Sequence, residues 1–369
     1  MGVEAGGTTN PSIQARNFII ACYAVSLTKG ETLKGRRIRH ATLRGYVQQA
    51  IACHTSRKLP SPTMADMDYI KTITEAVRKY EKVPNRREMI HDAMFHFIIQ
   101  QYKKFRTHSP DALVTALCEW LVLGRYVGFR SAEWCHESPT TYKRIVDEEW
   151  GDRPDSLALI LGDFSFATCD GTPFTVPSTW YGRHFTSLPS PLHYTTLEIR
   201  KQKNNDNGAT LTYAKHDKNC ELCPTLAALN IVCRGHRLGL PSTHPAAVYS
   251  ALQHKLPRLI TARDANNLLR HSAQIVFKMK KGSKQLDKWS THSIRVTACN
   301  LLHRARYSDT YIKNRLRWKS DAFLMYLRNT FYTADEHSKS LSLDLAPPAH
   351  RRPLEAHEMA MQQVMAVAA

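Results

Sequence analysis

Residues 290–329 read STHSIRVTACNLLHRARYSDTYIKNRLRWKSDAFLMYLRN, and the side chains with the clearest chemistry in the chain lie in this segment. His292 and Arg295 follow Ser290, a residue type that commonly caps helix N-termini. A helix that begins here places an imidazole and a guanidinium on one face of its first turn, where free backbone N–H groups attract anions. A Ser-Asp pair further on predicts a second short helix that contains Tyr326. The segment therefore predicts a phosphate site with a phenol hydroxyl as nucleophile nearby.

A second arginine motif lies upstream, where Gly128-Phe-Arg130-Ser-Ala-Glu133 follows a strongly apolar helical segment. An arginine just past a helix end is by itself typical of a C-terminal cap. Trp318 and Tyr326 have apolar neighbours, and each taken alone is typical of a core aromatic. Their occurrence together, in the order Gly-x-Arg-x-x-Glu, His-x-x-Arg, Trp and Tyr, favours a shared catalytic role.

This order of motifs resembles the tyrosine recombinase, or phage integrase, family over residues 18–332. The pattern Arg-Trp-x-Ser-Asp-x-Phe-x-x-Tyr is closest to crypton-like recombinases of eukaryotic mobile elements. The resemblance implies a mainly α fold with a small β-hairpin or sheet, arranged as a two-domain clamp on double-stranded DNA. One half of the clamp is a SAM-like helical core-binding domain, and the other is the DNA breaking-rejoining catalytic domain.

The resemblance also implies a reaction and the residues that perform it. A site-specific recombinase or integrase cleaves and rejoins strands through a 3′-phosphotyrosyl intermediate, without metal or other cofactor, and works as a homo-oligomer, a tetramer, on DNA. Six catalytic positions carry over by motif: Arg130, Lys203, His292, Arg295, Trp318 and Tyr326. The arginines and the indole N–H bind phosphate oxygens, and the lysine protonates the departing 5′-oxygen. The histidine either hydrogen-bonds a phosphate oxygen or manages the tyrosine proton. Lys201 is the alternative lysine, and Tyr332 is the nearest alternative nucleophile.

The charge of the chain points to the same partner. At 369 residues the formal net charge is +19, which predicts a polyanionic partner, and the alternative is that the surplus only keeps the protein soluble. Residues 1–110 hold 18 Lys and Arg against 8 Asp and Glu, and residues 191–350 hold 25 against 11. Residues 131–190 hold 4 against 9. Two basic regions therefore flank an acidic one.

Composition and helical periodicity divide the chain into five segments. They are a disordered leader at 1–14, a helical bundle at 15–83, a linker at 84–87, a mainly helical segment at 88–345 and a tail helix at 346–369. The resemblance identifies 15–83 as the core-binding domain and 88–345 as the catalytic domain. The basic residues expected to bind DNA phosphates are Lys34, Arg36, Arg37, Arg39, Arg44 and Lys201. Apart from Lys201, they belong to one loop and the start of the next helix, and the alternative for that loop is an ordinary solvated connection.

Within the catalytic domain the pattern predicts helices and one hairpin. Helices are expected at 89–103, 111–127, 224–232, 250–256 and 264–277. Two β-rich runs on either side of an Asn/Asp/Gly turn predict a hairpin at 194–213. The segment at 145–190 contains several Pro, Gly and Asp residues and only short strand-like pieces.

The nine cysteines are odd in number and scattered, which predicts reduced thiols in an intracellular protein, nuclear if the host is eukaryotic. Cys220, Cys223, Cys233 and His236 have spacings that also fit a zinc module, but the helix predicted between the pairs would hold them apart. Two functional alternatives remain open. One is a type IB topoisomerase-like enzyme that relaxes DNA, and the other is an element-derived protein that binds DNA without cutting it.

Overall fold

The computed structural model of the protein describes residues 11–29, 38, 40–57, 64–79, 86–136, 158–200, 202, 207–251 and 257–327. The fold is mainly helical with a small antiparallel sheet. The chain divides into two compact units, Met1–Asn85 and Arg86–Ala369, with the division inside the segment 84–87. Across the described ranges, no helix combines the length and the apolar character needed to cross a membrane.

The described residues of the first unit form three helices, α1 (Pro11–Lys29), α2 (His40–Ser56) and α3 (Met64–Lys79). They pack around a small apolar cluster formed by Ile20, Ala24, Leu27, Leu43, Val47 and Ile70. The predicted leader boundary at 14 is wrong, because helix α1 already begins at Pro11. Proline suits the first helical position, where its missing N–H costs no hydrogen bond. Residues 1–10 of the predicted leader lie outside the described residues.

The second unit is organised around α5 (Leu113–Val127), a helix that is buried along most of its length. It packs against α4 (Asp92–Arg106), α7 (Pro224–Arg237) and α9 (Thr291–Arg304). Glycine permits the closest of these contacts: a Cβ on Gly124 would lie 2.8 Å from Cγ2 of Ile294 on α9. The periodic apolar pattern therefore placed this helix correctly in the core, and α9 is held directly against it.

The sheet of the second unit has four antiparallel strands in the order β2-β1-β3-β4. They are β1 (Phe164–Ala167), β2 (Pro173–Phe174), β3 (Tyr194–Ile199) and β4 (Ala209–Ala214). The predicted hairpin is confirmed: β3 pairs with β4 and places the buried Leu197 opposite the buried Leu211. Strands β1 and β2 were not resolved by the sequence pattern, because they are four and two residues long. A four-residue helix, α6 (Ser178–Tyr181), follows them.

The helix predicted at 250–256 falls almost entirely outside the described residues. Val248–Ser250 and Pro257–Leu259 form strands β5 and β6, which pair antiparallel, and residues 252–256 between them lie outside the described residues. Val248 and Tyr249 favour an extended conformation, and both are buried against the core. The helix expected at 264–277 is present as α8 (Ala262–Val276), with Thr261 and Asp264 forming a capping box.

The structure excludes the zinc module at α7. Cys220 is exposed, whereas Cys223 caps the helix, with its sulfur accepting from the Leu226 N–H at 3.4 Å. Cys233 is buried inside the helix, and His236 stacks on Tyr181 at a ring distance of 3.8 Å. No group of three or more His, Cys, Asp or Glu with metal-binding geometry occurs in the described part of the chain.

A buried ion pair joins α5 to α7. The Arg234 guanidinium, which is 0% exposed, donates to the Glu119 carboxylate, which is 2% exposed. Arg234 also donates to the Pro110 carbonyl at 3.2 Å, and His184 Nε2 lies 2.9 Å from Glu119 Oε1. These contacts satisfy two charges that burial would otherwise strongly disfavour.

Replacing Arg234 by Met is expected to lower the free energy of unfolding by about 3–5 kcal/mol, because the Glu119 charge stays buried with less compensation. Urea denaturation followed by circular dichroism measures the change. Lys215→Met is the control: Lys215 forms an exposed pair with Asp217, so the loss is expected to stay below about 1 kcal/mol. The double variant Arg234→Met/Glu119→Leu is expected to recover stability. A loss of equal size in Arg234→Met and Lys215→Met would contradict this role of the pair.

Candidate active site

The N-terminus of α9 positions the first two site residues. The Ser290 N–H donates to Ser293 Oγ at 3.1 Å, and the Thr291 N–H donates to Asn266 Oδ1 of α8 at 2.7 Å. These contacts satisfy N–H groups at the helix start and fix its direction. His292 and Arg295 lie one turn apart, on the same side of the helix, as the sequence predicts.

Tyr326 lies beside the first turn of α9, although it belongs to a later segment of the chain. After α10 (Asp309–Arg315) the chain turns and forms a short 3₁₀ helix, Asp321–Met325, and Tyr326 follows it as the C-terminal cap. The predicted helix containing Tyr326 is therefore corrected to a 3₁₀ turn that ends just before it. In so short a segment, i→i+3 bonding closes more hydrogen bonds than α-helical bonding does.

The Tyr326 hydroxyl lies 2.8 Å from Nε2 of His292. Two further contacts hold the residue in this position. The Tyr326 ring packs against the Trp318 ring at a centroid distance of 4.9 Å, and Asn300 Nδ2 donates to the Tyr326 carbonyl at 3.0 Å. The phenol oxygen is thus directed at the imidazole by contacts from α9 and from the turn before the 3₁₀ helix.

Arg295 is buried with only 3% of its surface exposed. Nη1 donates to the Gly128 carbonyl at 2.8 Å, and Nη2 donates to the Leu316 carbonyl. The guanidinium carbon lies 4.8 Å from the centroid of the Trp318 ring, in a cation–π contact. Burial, together with the nearby positive charges of Arg130 and Arg317, lowers the pKa of Arg295 to about 9. A bound anion would relieve that crowding of positive charge.

Arg130 is brought to the same place from the end of α5. Its Nη1 donates to Glu133 Oε1 at 3.0 Å and to Gln202 Oε1 at 3.4 Å. Its Nη2 donates to the Arg317 carbonyl at 3.0 Å. The side chain remains 21% exposed, which leaves part of the guanidinium open to a ligand.

The backbone carbonyls of two consecutive residues accept hydrogen bonds from Arg295 and Arg130. The Leu316 carbonyl accepts from Arg295 and the Arg317 carbonyl accepts from Arg130, although 165 residues of chain separate the two donors. One turn therefore holds both guanidinium groups beside the His292–Tyr326 pair. The structure in this way brings together Arg130, His292, Arg295, Trp318 and Tyr326.

Of the other expected site residues, some lie outside the described residues and some are placed by the structure. Lys203 and Lys201, the two candidates for the catalytic lysine, lie outside the described residues, as do Lys34, Arg36, Arg37 and Arg39. Arg44 lies on α2 in the first unit and is exposed. Gln202, between the two candidate lysines, is buried and contacts Arg130, so this end of the hairpin lies at the site.

Sequence reasoning missed four residues of this site: Glu133, Gln202, Asn300 and Arg317. Glu133 belongs to the Gly-x-Arg-x-x-Glu motif, but no function was assigned to it. Arg317 directly precedes Trp318, and no function was assigned to it either. A third arginine beside the motif Trp was a detectable signal. Asn300 and Gln202 carried no sequence signal, because their roles depend on contacts with residues 26 and 72 positions away.

The environment of His292 favours its neutral form. Burial, then the positive charges of Arg295 and Arg87, lowers its pKa from the ordinary value of 6.5. A neutral imidazole with its proton on Nδ1 can accept a proton from the phenol through Nε2. The site thus combines a proton acceptor, a hydroxyl nucleophile and a cluster of cationic donors, which is the set needed to attack a phosphate ester.

Two comparisons with known proteins find no relative of this chain. A scan against models of protein families finds no match, and a search of curated proteins finds no significant match.

Proposed function

We propose that the protein is a site-specific recombinase that cleaves and rejoins DNA strands through a 3′-phosphotyrosyl intermediate, in the integration or excision of a mobile element or virus. The observation that carries the proposal is the 2.8 Å contact between the Tyr326 hydroxyl and Nε2 of His292, beside Arg130 and Arg295. The motif order of the sequence supports the same reading.

The arginines supply the charge that a phosphodiester requires. The negative phosphate repels nucleophiles, and the transition state places more charge on its non-bridging oxygens. Arg295 has five N–H donors, of which two bind the carbonyls of Gly128 and Leu316. In the proposed complex, the remaining N–H groups bind the phosphate oxygens together with those of Arg130. The rigid carbonyl contacts hold these donors in place before the substrate arrives.

The nucleophilic step then involves Tyr326 and His292. The phenol oxygen attacks the phosphorus while its proton passes to His292 Nε2, and the bond from phosphorus to the 5′-oxygen breaks. The resemblance assigns the proton of the departing 5′-oxygen to Lys203. The product is a 3′-phosphotyrosyl bond, and it conserves the energy of the broken ester. Attack by a 5′-hydroxyl of another strand reverses the step and completes rejoining.

The partner in this proposal is double-stranded DNA, bound by a homo-oligomer. The net charge of +19 supports a strong, salt-dependent interaction with phosphates. In a eukaryotic host the protein would act in the nucleus.

Covalent capture tests the proposed reaction. Short duplexes of random sequence, each with a nick that lets the cleaved fragment diffuse away, are incubated with the full chain and separated on a denaturing gel. The expected result is a slowly migrating adduct enriched in one sequence, with the modified peptide containing Tyr326. DNA binding without any adduct would overturn the proposal in favour of a non-cutting DNA-binding protein. Adducts at scattered sequences, with plasmid relaxation and no joining of two duplexes, would favour a topoisomerase.

The rate of adduct formation is expected to depend on pH through His292. Because its pKa lies below 6.5, the imidazole is neutral and able to accept the phenol proton at neutral pH. The rate is expected to be constant above that range and to fall about tenfold per pH unit below the His292 pKa. Single-turnover kinetics across the acidic range measures this. His292→Gln is expected to be slow and to lack the step, and an unchanged step in that variant would assign the titration to another group.

A further inference from the structure

Arg317 occupies a backbone position that usually holds glycine. It follows the C-terminal cap of α10, and its φ angle is +57°, in the left-handed region. Its N–H donates to the Asn314 carbonyl at 3.0 Å, and the Trp318 N–H donates to the Lys313 carbonyl at 2.8 Å. This pair of bonds is a Schellman motif, in which glycine avoids the steric cost that a side chain meets.

Burial distinguishes Arg317 from Arg306, another described arginine whose backbone has a left-handed conformation. Arg306, after the end of α9, has a φ angle of +62° and forms the same motif, but its side chain is exposed. Arg317 is only 5% exposed. Its Nε and Nη1 are buried with no hydrogen-bond partner among the residues that the structure describes. A buried guanidinium with unused donors at a strained position is unfavourable for stability, and such strain is characteristic of functional sites.

The single polar contact of the Arg317 side chain recorded in the described residues is with Glu133. Nη2 donates to Glu133 Oε2 at 2.7 Å, in a pair whose side chains are both 3% exposed. The same carboxylate accepts from Arg130 Nη1 through Oε1 and from the Arg130 N–H, at 2.9 Å, through Oε2. Glu133 is therefore shared between the two arginines.

We propose that Arg317 is a positioning residue that offsets the charge of Glu133, so that Arg130 stays in place and keeps its positive charge for a phosphate-like anion. Without Arg317, the Glu133 carboxylate would be balanced by Arg130 alone, and that pair would be neutral. With Arg317, the three groups carry a net positive charge beside Arg295. The Arg317 carbonyl supports the same guanidinium by accepting from Arg130 Nη2. The identity of the anion as a DNA phosphodiester rests on the proposed function.

Binding of orthovanadate, a phosphate mimic, tests this role without requiring cleavage. Isothermal titration calorimetry compares the full chain with Arg317→Gly, Arg317→Lys and Glu133→Gln/Arg317→Gly. Arg317→Gly keeps the left-handed turn and removes the guanidinium together with the rest of the side chain. It is expected to weaken vanadate binding about tenfold, since one compensating charge is lost. Arg317→Lys is expected to stay within about threefold of the native protein, and the double variant to recover most of the loss, because it removes the carboxylate as well.

Arg306→Gly is the matched control. This substitution relieves the same left-handed backbone strain and removes the same charge, but at an exposed position. Vanadate binding is therefore expected to stay within about twofold of the native value. Equal losses in Arg306→Gly and Arg317→Gly would mean that net charge alone is responsible, and would overturn the inference. So would native-like binding by Arg317→Gly, a double variant no better than Arg317→Gly, or native protein that binds no vanadate.

The same variants in the covalent capture assay separate this inference from the proposed function. Vanadate binding that depends on Arg317, with no DNA adduct from any pool, would support the inference and overturn the recombinase proposal. Adduct formation at the native rate by Arg317→Gly, with native vanadate binding, would support the recombinase proposal and overturn the inference. If Arg317→Gly does not fold, Arg317→Asn replaces it, because asparagine tolerates the left-handed conformation and carries no charge. Weaker vanadate binding by Arg317→Asn than by Arg317→Lys would support the inference, and equal binding would overturn it.

Discussion

Tyr326→Phe is expected to abolish the covalent protein–DNA adduct, with a loss of at least about 10⁴-fold in the rate of its formation. The substitution removes only the hydroxyl that lies 2.8 Å from His292 Nε2. The ring remains and can keep its packing against Trp318, so the fold and the affinity for DNA are expected to change little. The measurement is single-turnover adduct formation on a captured target sequence, with binding followed separately by gel shift.

Tyr332→Phe is the control for this substitution, because Tyr332 is the nearest downstream tyrosine. It is expected to form the adduct at a rate within about threefold of the native protein. An adduct that persists in Tyr326→Phe and disappears in Tyr332→Phe would show that Tyr326 is not the nucleophile. Loss in both variants, with unchanged melting temperature, would indicate that the two tyrosines act together and would contradict the single-nucleophile mechanism.

Arg295→Lys is expected to lower the rate of adduct formation about 10³-fold although the positive charge is kept. The arginine fork reaches the carbonyls of Gly128 and Leu316 and still has donors for the phosphate, and it stacks on Trp318. A lysine ammonium is a point charge and cannot occupy these positions at once. The free energy of unfolding is expected to fall by about 1–3 kcal/mol, because a buried carbonyl loses its donor.

Arg315→Lys is the matched control for that prediction. Arg315 lies on α10, donates to the Thr212 carbonyl at 2.8 Å and stacks over Tyr213, outside the His292–Tyr326 pair. Its substitution is expected to change the rate less than about threefold. Single-turnover rates at saturating DNA, with urea denaturation of both variants, separate a chemical effect from a loss of folded protein. A rate for Arg295→Lys within threefold of native would remove Arg295 from the mechanism.

The long elements of the fold were predictable from periodicity alone. The three helices of the first unit, and α4, α5, α7, α8 and α9, all carry apolar residues at helical spacing over three turns or more. The hairpin was predictable because its turn residues are specific. The helix predicted at 250–256 lies almost entirely outside the described residues. Strands β5 and β6, on either side of it, were not predicted, because each has only three residues.

The candidate site was predictable in its chemical groups but not in its arrangement. The order of the motifs identified five site residues but gave no distances between their side chains. These residues are Arg130, His292, Arg295, Trp318 and Tyr326. The role of Glu133 between Arg130 and Arg317 was not predictable, because it depends on a contact between residues 184 positions apart. Likewise, the helix expected around Tyr326 is a five-residue 3₁₀ helix, Asp321–Met325, which ends just before the tyrosine.

The sequence by itself determined that this protein is basic, that it is mainly helical with one hairpin, and which side chains are available for phosphate chemistry. These properties follow from residue types and local spacing, which act over a few neighbours. Tertiary structure alone decided that the pKa of His292 is lowered, that one carboxylate serves two arginines, and that a left-handed turn directs consecutive carbonyls at both guanidinium groups. Burial and charge interactions depend on which distant residues pack together, and local sequence does not contain that information.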